Sequence, residues 1–116
     1  MNNCFILLAA GQSKRFKSNK AKQYILYKNK PIYEHSLDRA IKSGLFKHIV
    51  LVVRKKSLIS KKYPKIVKII VGGKERNDSS LLALKYVKKF KIKKVLIHDA
   101  ARPNFSINLL KKIINN

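Results

Sequence analysis

The stretch that decides the fold is "CFILLAAGQSKR", residues 4–15. Its first half is an unbroken apolar run rich in β-formers, the pattern of a strand buried on both faces. Its second half stops that strand sharply. Ala9, Ala10 and Gly11 leave room for a ligand to approach the backbone, and Lys14 and Arg15 add positive charge at once. A buried strand that ends in small residues and cations predicts a loop at a strand exit facing a polyanion, with free backbone N–H groups available to form an anion-binding nest. The loop is not a P-loop, since no GxxxxGK[ST] is present, and it is not GxGxxG. Alone, it reads equally well as a plain surface loop.

Working outward, short apolar runs alternate with helical patterns. "HIVLVV" (48–53), "KIVKIIV" (65–71) and "KVLIHD" (94–99) read as three more strands. "PIYEHSLDRAIKSG" (31–44) reads as a helix with Pro at its first position and Gly at its end. "DSSLLALKYVKKF" (78–90) reads as a helix capped by Asp78, Ser79 and Ser80, with Leu81, Leu84, Tyr86 and Val87 as its apolar positions. "SINLLKKII" (106–114) reads as a last helix with a Ser N-cap. Strands alternating with helices imply right-handed crossovers and a parallel sheet, which binds ligands at the carboxyl ends of its strands. No repeat, low-complexity linker or second domain is visible, so residues 1–116 read as one domain or part of one.

Three stretches fall at predicted strand ends: residues 9–24, "GGKERNDSS" (72–80) and "HDAARP" (98–103). They hold three of the five Arg (Arg15, Arg76, Arg102) and three of the five acids (Glu75, Asp78, Asp99). Gly72 and Gly73 allow close contacts, and a Ser hydroxyl beside Gly73 could read the edge of a base. Asp78 to Ser80 read equally as helix caps. Asp99 could hold a metal ion or a ribose hydroxyl, and Arg102 could fork onto a phosphate. An Asp99–Arg102 structural pair is the plainer alternative. His98 alone reads as a packed strand residue. Jointly, the three stretches describe one crevice that admits a phosphorylated nucleotide without P-loop chemistry.

The composition sets bounds. Lys plus Arg number 28 against 5 Asp plus Glu, for a net charge of +23, and 46% of residues are hydrophobic, too many for a disordered chain. Of the cations, 23 are Lys, scattered along a chain also rich in Ile and Asn. That pattern reads first as an AT-rich codon bias on a solvated surface, with weak nonspecific attraction to polyanions. A small basic nucleic-acid-binding module is the competing reading. Against it, the aromatics are not interleaved with the Lys residues as a stacking platform needs. Cys4 is the lone cysteine, which excludes an internal disulfide and suits a reducing compartment. The first apolar run is too short to cross a membrane and lacks a preceding basic region, so a cytoplasmic protein with no membrane partner is expected.

In order, "LAAGQSKRF", "AKQY", "NKPIYEHSL", "GGKERNDSS" and "HDAARP" resemble the motifs of the cytidylyltransferases that act on 2-C-methyl-D-erythritol 4-phosphate. "HDAARP" points to that family over the related polyol-phosphate cytidylyltransferases; another sugar- or polyol-phosphate nucleotidyltransferase, sharing the first loop but choosing a different base or acceptor, is the second enzymatic reading. The resemblance runs from near residue 5 to beyond residue 103. It implies an α/β, Rossmann-like three-layer nucleotidyltransferase fold with a mainly parallel sheet, here in a truncated form: the nucleotide-binding half. It further implies transfer of a cytidylyl group from CTP to the polyol phosphate, with Mg²⁺ bridging the triphosphate, and a homodimer for full-length members. By the same resemblance, Ala9, Ala10, Gly11 and Ser13 line the CTP loop, and Arg15 and Lys22 stabilise charge at the transition state. Gly73 and Ser79 recognise cytosine. Asp99 and Ala100 lie near ribose and metal, and Asp99 and Arg102 near the incoming substrate. No specific nucleic-acid partner is implied. Ser13, Ala21 and Lys74 depart from the family pattern, where a Gly, a Pro and commonly an acid stand. A shortened sheet would leave "KVLIHD" as an exposed edge.

Overall fold

In the computed structural model, residues 3–10, 26–28, 30–56, 59, 62–73 and 76–100 are described. The elements in chain order are β1 (Asn3–Ala9), β2 (Leu26–Tyr27), β3 (Lys30–Pro31), α1 (Ile32–Ser43), β4 (His48–Val53), β5 (Val67–Val71), α2 (Arg76–Val87) and β6 (Lys94–Asp99). Four strands form a sheet in the order β5-β4-β1-β6, every neighbouring pair parallel. β2 and β3 form a small antiparallel hairpin that leads into α1.

The unbroken apolar run of β1 is explained by its place. It lies between β4 and β6, and its two faces are both covered. Phe5, Leu7 and Ala9 pack with Ile49, Leu51 and Val53 against Tyr33, Leu37 and Ala40 of α1. Cys4, Ile6, Leu8 and Ala10 pack with Val50 and Val52 against Ala83 and Val87 of α2. Alternate residues of one strand thus feed two cores, and the molecule has three layers. β5 and β6 flank this centre, and their side chains are half-buried or exposed, unlike the closed β1 and β4.

Both helices run back against the strands, so each begins at the carboxyl edge of the sheet. α1 carries Glu34 in its first turn and Lys42 in its last, complementing the helix dipole. Pro31 stands one place earlier than the sequence suggests, at the N-cap, where it also closes the hairpin. Gly44 ends the helix at φ +67°, a left-handed conformation that a side chain would strain, and its N–H returns to the Ile41 carbonyl. The described part of the β4–β5 connection contains no α-helix. The expected helix over 106–114 lies outside the described residues.

α2 corrects the sequence reading twice. It starts at Arg76, so Asp78, Ser79 and Ser80 lie within its opening turns and do not precede it as caps. Its sheet-facing stripe is Ser79, Ala83 and Val87, all buried, while Leu81 and Leu84 are 58% and 38% exposed. Small residues spaced four apart let the helix lie close to the sheet, and closeness, not side-chain bulk, decides which face is buried here.

Candidate functional site at the carboxyl edge of the sheet

The sheet order reverses beside β1. The chain proceeds outward from β1 to β4 to β5, then returns to place β6 on the opposite side of β1. The exits of β1 and β6 therefore form a switch point, the usual ligand crevice of an open parallel sheet. Ala9 and Ala10 leave β1 there. Asp99, level with Leu8, and Ala100 leave β6 there, fixed by a bond from the Ala100 N–H to the Leu8 carbonyl (2.9 Å). Ala9, Ala10 and Ala100 are buried, and Asp99 is exposed. Small side chains thus form the floor of the crevice and a carboxylate stands at its rim.

The exit of β5 is brought to the same place, although β4 lies between it and β1. The Gly72 N–H bonds to the Val53 carbonyl (2.8 Å), carrying the chain inward over the end of β4. A Cβ built on Gly72 would overlap Ser79 Oγ, and would stand 2.6 Å from Val52 Cγ1 and 2.9 Å from Ala10 Cβ. Ala10, Gly72 and Ser79 are therefore mutual neighbours, joining the stretch after β1 to the stretch after β5. A Cβ on Gly73 would meet Asp78 Cβ at 2.5 Å, so the second glycine is required by the turn into α2 itself. The buried Ser79 hydroxyl donates to the Gly73 carbonyl (3.4 Å), tying the head of α2 to the strand exit. The Ser80 hydroxyl is also buried, with no hydrogen-bond partner among the described residues.

The structure brings Ala9, Ala10, Gly73, Ser79, Asp99 and Ala100 to one edge of the sheet. Gly11, Ser13, Arg15, Lys22 and Arg102 lie outside the described residues. His98 is a strand residue stacked on Phe5, with ring centroids 6.1 Å apart. Among the described residues, no group of three or more His, Cys, Asp or Glu could by itself hold a metal ion.

One cluster escaped the sequence reading. Glu34, buried in the first turn of α1, accepts a hydrogen bond from the Tyr63 hydroxyl (3.3 Å), with the Tyr33 hydroxyl 3.5 Å from that of Tyr63. Beside it, Lys30 of the hairpin is ion-paired with Asp38 of α1. Together they fix the hairpin and the β4–β5 connection to α1. Only "EHS" within a motif pointed to Glu34; its partner Tyr63 is 29 residues away and carries no local signal.

A parallel sheet covered on both faces, with alanines and a carboxylate at its switch-point exits and glycines at the exit of β5, defines the molecule as a Rossmann-like nucleotidyltransferase fold. The chain belongs to the 2-C-methyl-D-erythritol 4-phosphate cytidylyltransferase (IspD) family, whose sequence model matches residues 3–116. It is similar to the bifunctional enzyme IspD/IspF of Pelagibacter ubique, at 53% identity over 117 residues, covering 99% of this chain and 32% of that protein. Its fold is similar to the bifunctional IspDF of Campylobacter jejuni (TM-score 0.80, 29% identity, 100% of this chain and 30% of that one). It is likewise similar to the 2-C-methyl-D-erythritol 4-phosphate cytidylyltransferase of Francisella tularensis (TM-score 0.78, 26% identity, 99% of this chain and 51% of that one). The chain spans about half the length, or less, of the curated relatives it matches.

Proposed function

We propose that residues 1–116 form the nucleotide-binding half of a domain that transfers a cytidylyl group from CTP to 2-C-methyl-D-erythritol 4-phosphate, releasing pyrophosphate. The observation that carries this reading is the convergence of the β1, β5 and β6 exits, seen in the contact of Gly72 with Ala10 and in the bond from Ala100 to Leu8. It supports a crevice in which the alanine floor accepts the nucleotide closely. Family membership supports the choice of reaction.

In this reading the substrate phosphate oxygen attacks the α-phosphorus of CTP in line, the bond to the β-phosphate oxygen breaks, and pyrophosphate leaves. The nucleophile is already anionic, so no general base is needed, and the protein's work is positioning and charge neutralisation. Ala9, Ala10, Gly11 and Ser13 line the triphosphate loop. Arg15 and Lys22 neutralise charge that develops on the transferring group. Gly73 and Ser79 stand where a pyrimidine edge is read, and the Ser79 bond to Gly73 keeps that carbonyl oriented. Ala100 lies under the ribose, and Arg102 receives the polyol phosphate.

The exposed carboxylate of Asp99 fits Mg²⁺, an ion that typically takes one or two carboxylates and leaves its other positions to phosphates and water. When bound, the ion would neutralise triphosphate charge beside Asp99. The protein acts in the cytoplasm, and the full-length enzyme is a homodimer. No helix among the described residues is long and apolar enough to cross a membrane.

Calorimetric titration of the chain with CTP, UTP and ATP in the presence of Mg²⁺ tests the reading. Preference for CTP is expected. Equal, weak binding of all three with a steep salt dependence would indicate a generic basic surface instead.

A further inference from the structure

The amino edge of the sheet, opposite the crevice, carries a second organised feature. The rings of His48 and Phe90 stack with centroids 4.3 Å apart, and Tyr86 meets Phe90 edge-on at 5.4 Å. Lys68 Nζ and Lys89 Nζ each lie 5.9 Å from the Tyr86 ring centroid. Residues 85–94 read "KYVKKFKIKK", with six lysines in ten positions. Lys47, Lys68, Lys88, Lys89, Lys91 and Lys93 are all exposed, and Phe90 is 37% exposed.

Acids are missing from this part of the chain. None occurs between Asp38 and Glu75, or between Asp78 and Asp99. Asp78 and Asp99 lie at the far end of α2 and of β6, on the carboxyl edge. A codon bias would account for the number of lysines in the chain. It does not explain why Lys68 of β5 and Lys89 meet the ring of Tyr86, in a cluster that joins the end of α2 to His48 of β4. In this one stretch, contrary to the expectation drawn from the whole chain, Tyr86 and Phe90 alternate with lysines, and the fold brings His48 and Lys68 beside them.

We propose that this amino-edge cluster is a binding surface for single-stranded nucleic acid, sequence-nonspecific and separate from the nucleotide crevice. The lysines neutralise successive phosphates, and the partly exposed Phe90, braced by His48, offers a ring to a base. An anionic membrane is the weaker fit, because interfacial binding needs a broad apolar face and here exposed apolar area is broken up by lysines.

Fluorescence anisotropy with a labelled 15-nucleotide oligouridylate, at 50–300 mM salt, tests this on the 116-residue chain. Binding is expected with a steep negative salt slope. The K88Q/K91Q/K93Q variant is expected to weaken it at least 10-fold at 50 mM salt. Its slope should be shallower by about 2, since each phosphate contact on a single strand contributes about 0.7. K55Q/K56Q/K62Q removes equal charge from exposed sites in the β4–β5 connection and should change affinity less than 3-fold. Phe90→Leu keeps apolar bulk and should weaken binding several-fold with the salt slope unchanged. CTP–Mg²⁺ at matched ionic strength should not compete. Equal losses in the two triple variants, displacement by CTP, or the absence of binding at 50 mM salt would each overturn the proposal. So would tighter binding to vesicles of phosphatidylserine and phosphatidylcholine, lost in the same K88Q/K91Q/K93Q variant.

Discussion

Gly72 and Ser79 stand so close that a single methyl group on the glycine would overlap the serine hydroxyl. They are seven positions apart in the chain, yet their contact sets where α2 begins relative to the sheet. The φ of Gly72 is not in the left-handed region, so its requirement is space alone. Gly72→Ala would push the new carbon into Ser79 Oγ, Val52 and Ala10 at once, and two of those three neighbours are themselves core atoms. Overpacking of this kind costs about 1–3 kcal/mol. Urea unfolding of Gly72→Ala is expected to show a lowered midpoint with an unchanged slope. A midpoint equal to that of the wild type would mean that the strand exit yields freely.

The exposed leucines of α2 make a second test. Leu84→Ala should cost under about 1 kcal/mol, since a surface side chain loses little on truncation. Leu37→Ala, in the fully buried core beneath α1, should cost about 2–5 kcal/mol. Thermal or urea unfolding of the pair measures the difference. Comparable losses would mean that Leu84 is covered in solution.

That contrast also marks what the sequence revealed. β1 and β4 were legible because burial on both faces writes a continuous apolar run, and the ends of α1 were legible from Pro31 and Gly44. The crevice was legible because its small residues sit directly behind strands. The face of α2 was not. Counting large apolar residues favours Leu81 and Leu84, while the sheet selects Ser79 and Ala83 for their size, a choice that depends on how near the helix lies. The Glu34–Tyr63 tie and the ring cluster at the amino edge were hidden for a related reason: each is assembled from distant segments.

Stability at alkaline pH follows from one buried and one half-buried acid. Burial pushes the Cys4 thiol from 9.0 up to about 12. Burial also raises Tyr63 above its ordinary value of 10.0, helped by its hydrogen bond with Tyr33, its interaction with the Tyr33 charge, and the Glu34 carboxylate beside it. Both groups keep their protons in the folded state at pH values where the unfolded chain has lost them. Their contribution is fully present below pH 9 and falls as pH rises, for Cys4 across the window from 9 to 12. Each group contributes at most about 1.4 kcal/mol per pH unit to that decline. Urea unfolding from pH 8 to 11 should show falling stability, with a flatter decline in Cys4→Ala and in Tyr63→Phe. Parallel pH profiles for wild type and variants would contradict this assignment.

The final prediction concerns the loop after β1 and rests on the proposed reaction. Arg15 and Lys22 match the family motif, while Lys14 and Lys17 flank it. During transfer, negative charge moves onto the departing pyrophosphate and the equatorial oxygens of the transferring group. Cations fixed at that position favour the transition state over bound CTP, so their loss should fall on kcat rather than on KM. In a full-length enzyme carrying this half, Arg15→Ala and Lys22→Ala should each lower kcat about 100- to 1,000-fold, the usual effect of removing one charge-stabilising donor. Lys14→Ala and Lys17→Ala remove the same formal charge at positions outside the matched motif and should lower kcat less than about 3-fold, if the effect belongs to the matched cations and not to net charge. Steady-state kinetics on the four variants compare them directly. If Lys14 or Lys17 matters as much as Arg15 and Lys22, the loop acts through diffuse charge and the roles given to its two matched cations are wrong.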